Sequence, residues 1–130
     1  MKNARKVIGL SLATLMILGS ATAAYASARY VCIREFLFSG SVTSTSVVGE
    51  ANVGLSSAYD SETIITLERS SGGAFQDYLV LTDKSSTRSS YMASASKNGL
   101  SSAYDYRLRA ELFVYDDNGK QIDYACAYVD

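Results

Sequence analysis

Hydrophobic and polar residues alternate along much of the chain beyond residue 26. The clearest stretch runs from Tyr104 to Tyr115, where every second residue is apolar or aromatic and most of the residues between are charged. Successive side chains of a β-strand point to opposite faces, so this pattern predicts a strand with one buried face and one solvated face. The residues expected to face the core are Tyr104, Tyr106, Leu108, Ala110, Leu112 and Val114.

Six further stretches are rich in β-branched and aromatic residues and are bounded by glycine, serine or asparagine clusters. Short strands at such regular spacing are typical of an antiparallel sandwich or barrel. We therefore predict an all-β fold, a seven-stranded antiparallel Greek-key sandwich formed by residues 27–130 as a single domain. The six additional strands are Tyr30–Phe38, Val42–Val53, Glu62–Arg69, Phe75–Leu81, Ser89–Ser96 and Gln121–Val129.

Two glycine-containing turns connect strands that are neighbours in this prediction. Asn118-Gly119 lies between the last two strands, and both residue types tolerate the positive φ that a tight hairpin turn requires. Ser70–Gly73 forms the turn between the third and fourth strands. On the return strand, alternation places Cys126 on the inner face together with Ile122, Tyr124 and Tyr128.

A seven-residue segment occurs twice with identical sequence, as Gly54–Asp60 and as Gly99–Asp105. One copy follows the second predicted strand and the other follows the fifth. These are the two equivalent sheet-to-sheet crossings of a seven-stranded Greek-key sandwich, so we expect both connections to share one turn chemistry at opposite ends of the fold. The alternative interpretation is a pair of ligand loops that carry Tyr59 and Tyr104.

The first 26 residues have the three regions of a secretory signal peptide. Residues 1–6 are basic, residues 7–19 are apolar, and the small residues that follow end in Ala24-Tyr25-Ala26. The apolar run is too short to span a bilayer, which requires roughly 20 residues. We predict cleavage between Ala26 and Ser27, with Ala21-Thr22-Ala23 as a second cleavage motif, and a secreted, extracellular protein without a stable membrane anchor.

The charge of the chain restricts the kinds of partner that it can bind, and its cysteine content indicates how the fold is stabilised. The leader holds three of the 12 basic residues and none of the 13 acidic ones, so the exported domain is acidic. Nucleic-acid binding requires a basic surface, and we expect none. An even number of cysteines in an exported chain indicates a disulfide, here between Cys32 and Cys126, the alternative being two separate buried thiols.

The chain contains no histidine, which excludes serine–histidine and cysteine–histidine nucleophile pairs and imidazole metal ligands. The carboxylate and amide oxygens that bind calcium in a loop are present at Asp116, Asp117, Asn118 and Asp123. However, an EF-hand loop has glycine at its sixth position and a bidentate glutamate at its twelfth. Here Gly119 comes before the sixth position, and Ala127 occupies the twelfth. We therefore interpret this segment as a hairpin turn and predict no metal site and no cofactor.

Two pairs of side chains are candidates for function. Glu68 and Glu111 form the best carboxylate pair for glycoside hydrolysis if their strands adjoin, although pairing with Arg107 or Arg109 is the simpler expectation. Phe113 and Tyr115 fall on the outward face of the sixth predicted strand. They either pack under another layer or form a contact surface for a protein or a glycan.

Two segments resemble a known family. Tyr106–Leu112 resembles the sixth strand of fibronectin type III domains, in which an aromatic residue opens a strand of alternating aliphatic and charged residues. Ile64–Gly73 resembles the third strand and its turn. With the leader, these segments are similar to small secreted proteins of unknown function from Gram-positive bacteria. The resemblance implies an immunoglobulin-like or fibronectin III-like sandwich and supplies no catalytic residues.

Together these observations predict a non-catalytic secreted domain that binds an unidentified protein, envelope component or host molecule at or outside the cell surface. The alternative is a secreted effector, such as an inhibitor or a bacteriocin-like protein. A remote alternative is a small glycan hydrolase that uses Glu68 and Glu111.

Overall fold

The computed structural model describes residues 23–25 and 30–130. Apart from Ala23–Tyr25, the predicted leader and the cleavage position at Ala26–Ser27 lie outside the described residues. Within them, the chain forms β-strands and no helix that is long and apolar enough to cross a membrane. The strands are β1 (Ala23–Tyr25), β2 (Ile33–Val42), β3 (Val47–Leu55), β4 (Asp60–Ser70), β5 (Gln76–Ser86), β6 (Ser90–Lys97), β7 (Asp105–Tyr115) and β8 (Gln121–Val129).

These strands form two four-stranded sheets. Sheet I has the order β1-β2-β3-β6 and sheet II has the order β5-β4-β7-β8, and all neighbouring strands are antiparallel. The prediction of an all-β fold from seven antiparallel strands is confirmed by β2–β8. The short strand β1 is additional and pairs with β2, where Ala24 lies opposite Phe36.

The second predicted strand begins too early. The structure ends β2 at Val42 and begins β3 at Val47, with a tight turn between them. The Thr43 hydroxyl accepts hydrogen bonds from the backbone N–H groups of Thr45 and Ser46, and the backbone N–H of Thr43 donates to the Ser46 carbonyl oxygen at 2.8 Å. Threonine and serine hydroxyls stabilise such turns locally, although threonine also favours strands, which explains the error.

The core lies between the two sheets and is filled largely from alternate positions of β2, β3, β4, β6, β7 and β8. Five of the six residues predicted to face the core are buried, namely Tyr106, Leu108, Ala110, Leu112 and Val114, whereas Tyr104 precedes β7 and is only partly buried. Burial of large apolar side chains is the main favourable contribution to folding. The largest fully buried apolar side chains include Phe36, Phe38, Ile33, Ile65, Leu67, Leu108 and Leu112.

Polar groups inside the core are paired across the sheets. The Tyr91 hydroxyl of sheet I lies 3.0 Å from the Ser61 hydroxyl and 2.8 Å from the Thr63 hydroxyl of sheet II. Ser61 and Thr63 are buried away from water, so the Tyr91 hydroxyl replaces the hydrogen bonds that their hydroxyl groups would make to water. This bridge therefore fixes how β6 sits over β4.

The predicted inward face of β8 is wrong. Ala125, Ala127 and Val129 are buried, whereas Tyr124 and Cys126 lie on the outer face. In the β7–β8 register, Ala125 lies opposite the buried residue Leu112, and directly opposite residues share a face. Small alanines therefore fill the space beside large core side chains, and the tyrosines face outward.

The predicted Cys32–Cys126 disulfide is absent from the structure, in which both cysteines are free. Cys32 is buried just before β2, whereas Cys126 lies on the outer face of sheet II. Asp123 provides a noncovalent connection in this region, because its Oδ2 accepts backbone N–H bonds from Val31, Cys32 and Ile33. Burial first, and then the Asp123 carboxylate, raise the pKa of the Cys32 thiol to about 11.

The repeated segments form the two predicted crossings from sheet I to sheet II. Asp60 lies opposite Tyr115 and Asp105 lies opposite Ser70, which are the two ends of the β4–β7 ladder. The expected positions at opposite ends of the fold are therefore confirmed. The backbones differ, because Gly54 belongs to β3 whereas Gly99 has a positive φ of 71°.

Both predicted glycine turns are confirmed. The backbone N–H of Gly119 donates to the Asp116 carbonyl oxygen at 3.0 Å, and Gly119 has a φ of 79°. The Asp116 side chain accepts backbone N–H bonds from Asn118 and Lys120, so this carboxylate is used to close the turn.

The close approach of β2 and β3 leaves no space for a side chain at one glycine, Gly40. A Cβ atom added at Gly40 would overlap the Val48 carbonyl oxygen and lie 2.9 Å from the Gly49 Cα. We expect Gly40→Ala to lower the free energy of unfolding by about 2–3 kcal/mol, because backbone atoms of β3 would have to move. Urea unfolding followed by tyrosine fluorescence measures this change.

Gly73→Ala is the matched control, because a Cβ there meets no atom within 4 Å. A Gly40→Ala variant as stable as this control would contradict the β2–β3 register.

The positions of the thiols predict unequal reactivity. Cys32 is 1% exposed and has a raised pKa, whereas Cys126 is partly exposed. Since the thiolate is the reactive form, we expect the folded protein to be alkylated rapidly at Cys126 and slowly at Cys32. Mass spectrometry after iodoacetamide treatment without reductant measures both sites, and Cys126→Ser removes the rapid reaction. Two unmodified cysteines that become reactive only after reduction would show that a disulfide forms instead.

Candidate functional site

The outer face of sheet II carries most of the charged and aromatic residues that the sequence analysis selected. On β7, residues Arg107, Arg109, Glu111, Phe113 and Tyr115 occupy alternate positions and are all partly exposed. Their outward orientation follows from the burial of the intervening residues. Neighbouring side chains of β4 and β8 lie on either side, so this face brings three strands together.

Glu68 on β4 is the centre of this face. It is only 3% exposed, although it lies on the outer side of the sheet. Its Oε1 accepts hydrogen bonds from Arg107 Nε at 2.8 Å and Arg107 Nη2 at 2.5 Å, and its Oε2 accepts one from Arg109 Nη1. Charged hydrogen bonds of this kind offset the cost of burying a carboxylate.

Arg109 extends the network across β4 to the edge strand β5 and along β7 itself. Its Nη1 and Nη2 donate to Asp77 of β5 at 2.8 and 3.2 Å, and its Nε donates to Glu111 at 3.2 Å. The hydrogen bonds from Arg109 lower the pKa of Asp77 below its usual value of 3.8. The bond to Asp77 is also the largest contribution to the raised pKa of Arg109. Arg109 is therefore fixed by three carboxylates.

The second guanidinium is held by aromatic rings. Arg107 lies over the rings of Phe75 and Tyr128, 4.4 Å from each ring centroid. A guanidinium plane attracted to the faces of two rings is restricted in orientation. Arg107 therefore joins the charged centre at Glu68 to an aromatic border.

Phe113 and Tyr115 lie on the outer face, as predicted, but each is partly covered by a neighbour within the same face. Phe113 packs against Tyr124 with ring centroids 5.1 Å apart, and the Tyr115 hydroxyl donates to Glu62 Oε1 at 3.4 Å. Tyr124 is the more exposed ring, at 39%. Its hydroxyl donates to Glu111 Oε2 at 2.8 Å, and burial followed by this bond raises the pKa of Tyr124.

Glu68 and Glu111 do lie on adjoining strands, but they form the expected pairs with arginines. Both accept hydrogen bonds from Arg109. A hollow of about 390 Å³ borders Glu111 on the β8 side and is lined by Tyr30, Asp123, Tyr124, Ala125 and Cys126, but neither glutamate lines it. In the described part of the chain, no group of three or more cysteine, aspartate or glutamate side chains could hold a metal ion.

Sequence reasoning did not select Tyr124 and Tyr128 as part of this face. The β7–β8 register places Tyr124 opposite Phe113 and Tyr128 opposite Arg109. Only the register could have shown this, because the tyrosines of β8 resemble core residues in the hydrophobic pattern. No family model, curated protein or solved structure matches this chain.

Because the carboxylate of Glu68 is buried, we expect the removal of its charge to have a large effect on the stability of the fold. We expect Glu68→Gln to lower the free energy of unfolding by about 3 kcal/mol, because two guanidinium groups lose a buried anion. Asp77→Asn is the matched control, since its side chain is 65% exposed and the expected change is below about 1 kcal/mol. Thermal unfolding followed by circular dichroism compares the two variants. Equal losses of stability would contradict a central role for Glu68.

Proposed function

We propose that this protein is a non-catalytic secreted interaction domain that binds a protein partner at or outside the cell surface through the outer face of sheet II. The observation that carries the proposal is a row of partly exposed side chains along β7 and β8, in which Phe113 packs on Tyr124 and, roughly 20 Å farther along β7, Arg107 stacks on Tyr128. Aromatic residues and arginine are the residue types enriched at the centres of protein interfaces.

The rigidity of these side chains supports a role in binding. Arg107 is fixed by Glu68 and by two rings, and Tyr124 is fixed by Phe113 and Glu111. Ordering flexible side chains opposes association, so side chains that are already held in place reduce this cost. Both the Phe113–Tyr124 pair and Arg107 are therefore ordered before a partner binds.

The fold-level proposal is a fibronectin III-like Greek key. The order β2-β3-β6 in one sheet and β5-β4-β7-β8 in the other supports it, as do the two crossings between the sheets. The Tyr106 hydroxyl donates to the Ser101 carbonyl oxygen at 2.6 Å, near the start of β7. This bond resembles the tyrosine corner of immunoglobulin-like sandwiches. Such a fold supports many functions, so the binding role depends on the surface and not on the topology.

The decisive experiment replaces the aromatic pair without touching the core. We expect Phe113→Ser/Tyr124→Ser to weaken partner binding by at least about tenfold, because the pair supplies the apolar centre of the face. Immobilised wild-type protein first captures its partner from envelope extract and culture medium. Surface plasmon resonance then measures the affinity of that partner for each variant.

Leu37→Ser/Val48→Ser is the matched control, because both residues are partly buried on strands of sheet I and lie outside the proposed face. Equal binding by both double variants would contradict the proposal. A failure to retain any partner, together with growth inhibition by the purified protein, would favour a secreted effector.

A further inference from the structure

Arg69 is held between two tyrosine rings near the end of β4. Its guanidinium carbon lies 3.9 Å from the centroid of the Tyr78 ring and 4.2 Å from that of the Tyr104 ring. Among the described residues, its side chain has no hydrogen bond and no ion pair. We refer to Arg69, Tyr78 and Tyr104 as the Arg69 clamp.

Comparison with Arg107 shows what the Arg69 clamp lacks. Arg107 also stacks on two rings, but its N–H groups donate to the carboxylate of Glu68. Arg69 has the same aromatic support, but no carboxylate of the described residues pairs with it. A guanidinium presents its donors in a planar fork that matches a carboxylate, so the clamp is suited to bind an anion.

The orientation of the clamp is fixed by its surroundings. The Tyr104 ring lies 6.4 Å from the ring of Tyr106, whose hydroxyl is bound to the Ser101 carbonyl oxygen. This bond holds the crossing segment that carries Tyr104. Arg69 itself is partly exposed and Tyr78 is 41% exposed, so the clamp is open to solvent. An anion can therefore reach the guanidinium without a rearrangement of the fold.

The adjacent edge of β5 is apolar and has no neighbouring strand within the described residues. Tyr78, Leu79 and Val80 are exposed by 41%, 37% and 62%. Farther along the strand, Thr82 and Lys84 donate hydrogen bonds to carbonyl oxygens of β6. The available part of the edge is therefore the half that lies beside Arg69. An exposed strand edge of this kind pairs readily with an extended peptide.

We infer that this edge binds an extended acidic peptide segment of a protein partner. The backbone of the segment pairs with β5 near Leu79, and one aspartate or glutamate carboxylate binds Arg69. Adjacent strands lie about 4.8 Å apart, so a glutamate on the added strand reaches across Tyr78. This inference rests on the proposed role in protein binding and adds a second contact. Along β7, the clamp lies roughly 20 Å from Phe113.

Two synthetic peptides test the inference directly on the purified full chain. The probes are acetylated and amidated Thr-Val-Glu-Val-Thr and the same peptide with glutamine in place of glutamate, and sodium acetate serves as the simple anion. Nuclear magnetic resonance follows the Nε–H signal of Arg69 and the backbone amide signals of β5 during each titration.

We expect the glutamate peptide to shift the Arg69 signal and the β5 amide signals, and to bind about tenfold more tightly than the glutamine peptide. Equal affinity of the two peptides would overturn the role of Arg69. A shift of Arg69 by acetate equal to that by the peptide, without a change in β5, would show that the clamp binds only a free anion. No shift with any probe would overturn the inference.

Arg69→Lys retains the charge but removes the planar fork, so we expect weaker binding of the glutamate peptide. Arg88→Lys is the matched control at an exposed arginine outside the clamp. The wild-type titration remains decisive if Arg69→Lys unfolds. Phe113→Ser/Tyr124→Ser is expected to bind the peptide normally, so a failure at one site is distinguishable from a failure at the other.

Discussion

The antiparallel ladder between β4 and β7 is the constraint on which the rest of the structure depends. It pairs the chain continuously from Asp60 opposite Tyr115 to Ser70 opposite Asp105. The inner face of this ladder supplies Leu67 and Leu108 to the core, and its outer face brings Glu68 and Arg107 into contact. A shift in register by one residue would exchange the two faces and expose the core residues. One set of backbone hydrogen bonds therefore fixes both the core and the outer charged network.

The same ladder separates the Phe113–Tyr124 pair from the Arg69 clamp, whereas Arg107 lies next to the residue opposite Arg69. Phe113 and Tyr124 lie toward one end of sheet II, whereas Arg69 and Tyr104 lie toward the other. Arginine has a different partner in each region. Around Glu68, a buried carboxylate balances the guanidinium groups, whereas at the Arg69 clamp the partners among the described residues are the faces of two aromatic rings. This difference makes the first region a preformed surface and the second a site that accepts an anion.

Most of the strand positions could be predicted because alternation reports directly on burial. On β7 the charged residues are incompatible with the core, so the face assignment was correct. On β8 the same reasoning failed, because tyrosine combines an apolar ring with a hydroxyl and is stable on either face. The disulfide prediction came from the even number of cysteines in an exported chain, and the inward assignment of Cys126 agreed with it. The structure removes that agreement, because Cys126 lies on the outer face and Cys32 is buried. Phe113 is only partly exposed because Tyr124 packs against it, and only the register of β7 and β8 reveals this neighbour.

The sequence by itself determined the class of fold, the presence and approximate positions of seven strands and the two glycine turns, because alternation and positive φ are properties of local segments. The two identical crossing segments also identified the places where the chain changes sheet. Tertiary structure alone decided which face of β8 is buried, that Cys32 and Cys126 are apart, and that Arg69 stacks between Tyr78 and Tyr104. These features join residues that are distant in sequence, and their energies depend on the register and packing of whole strands.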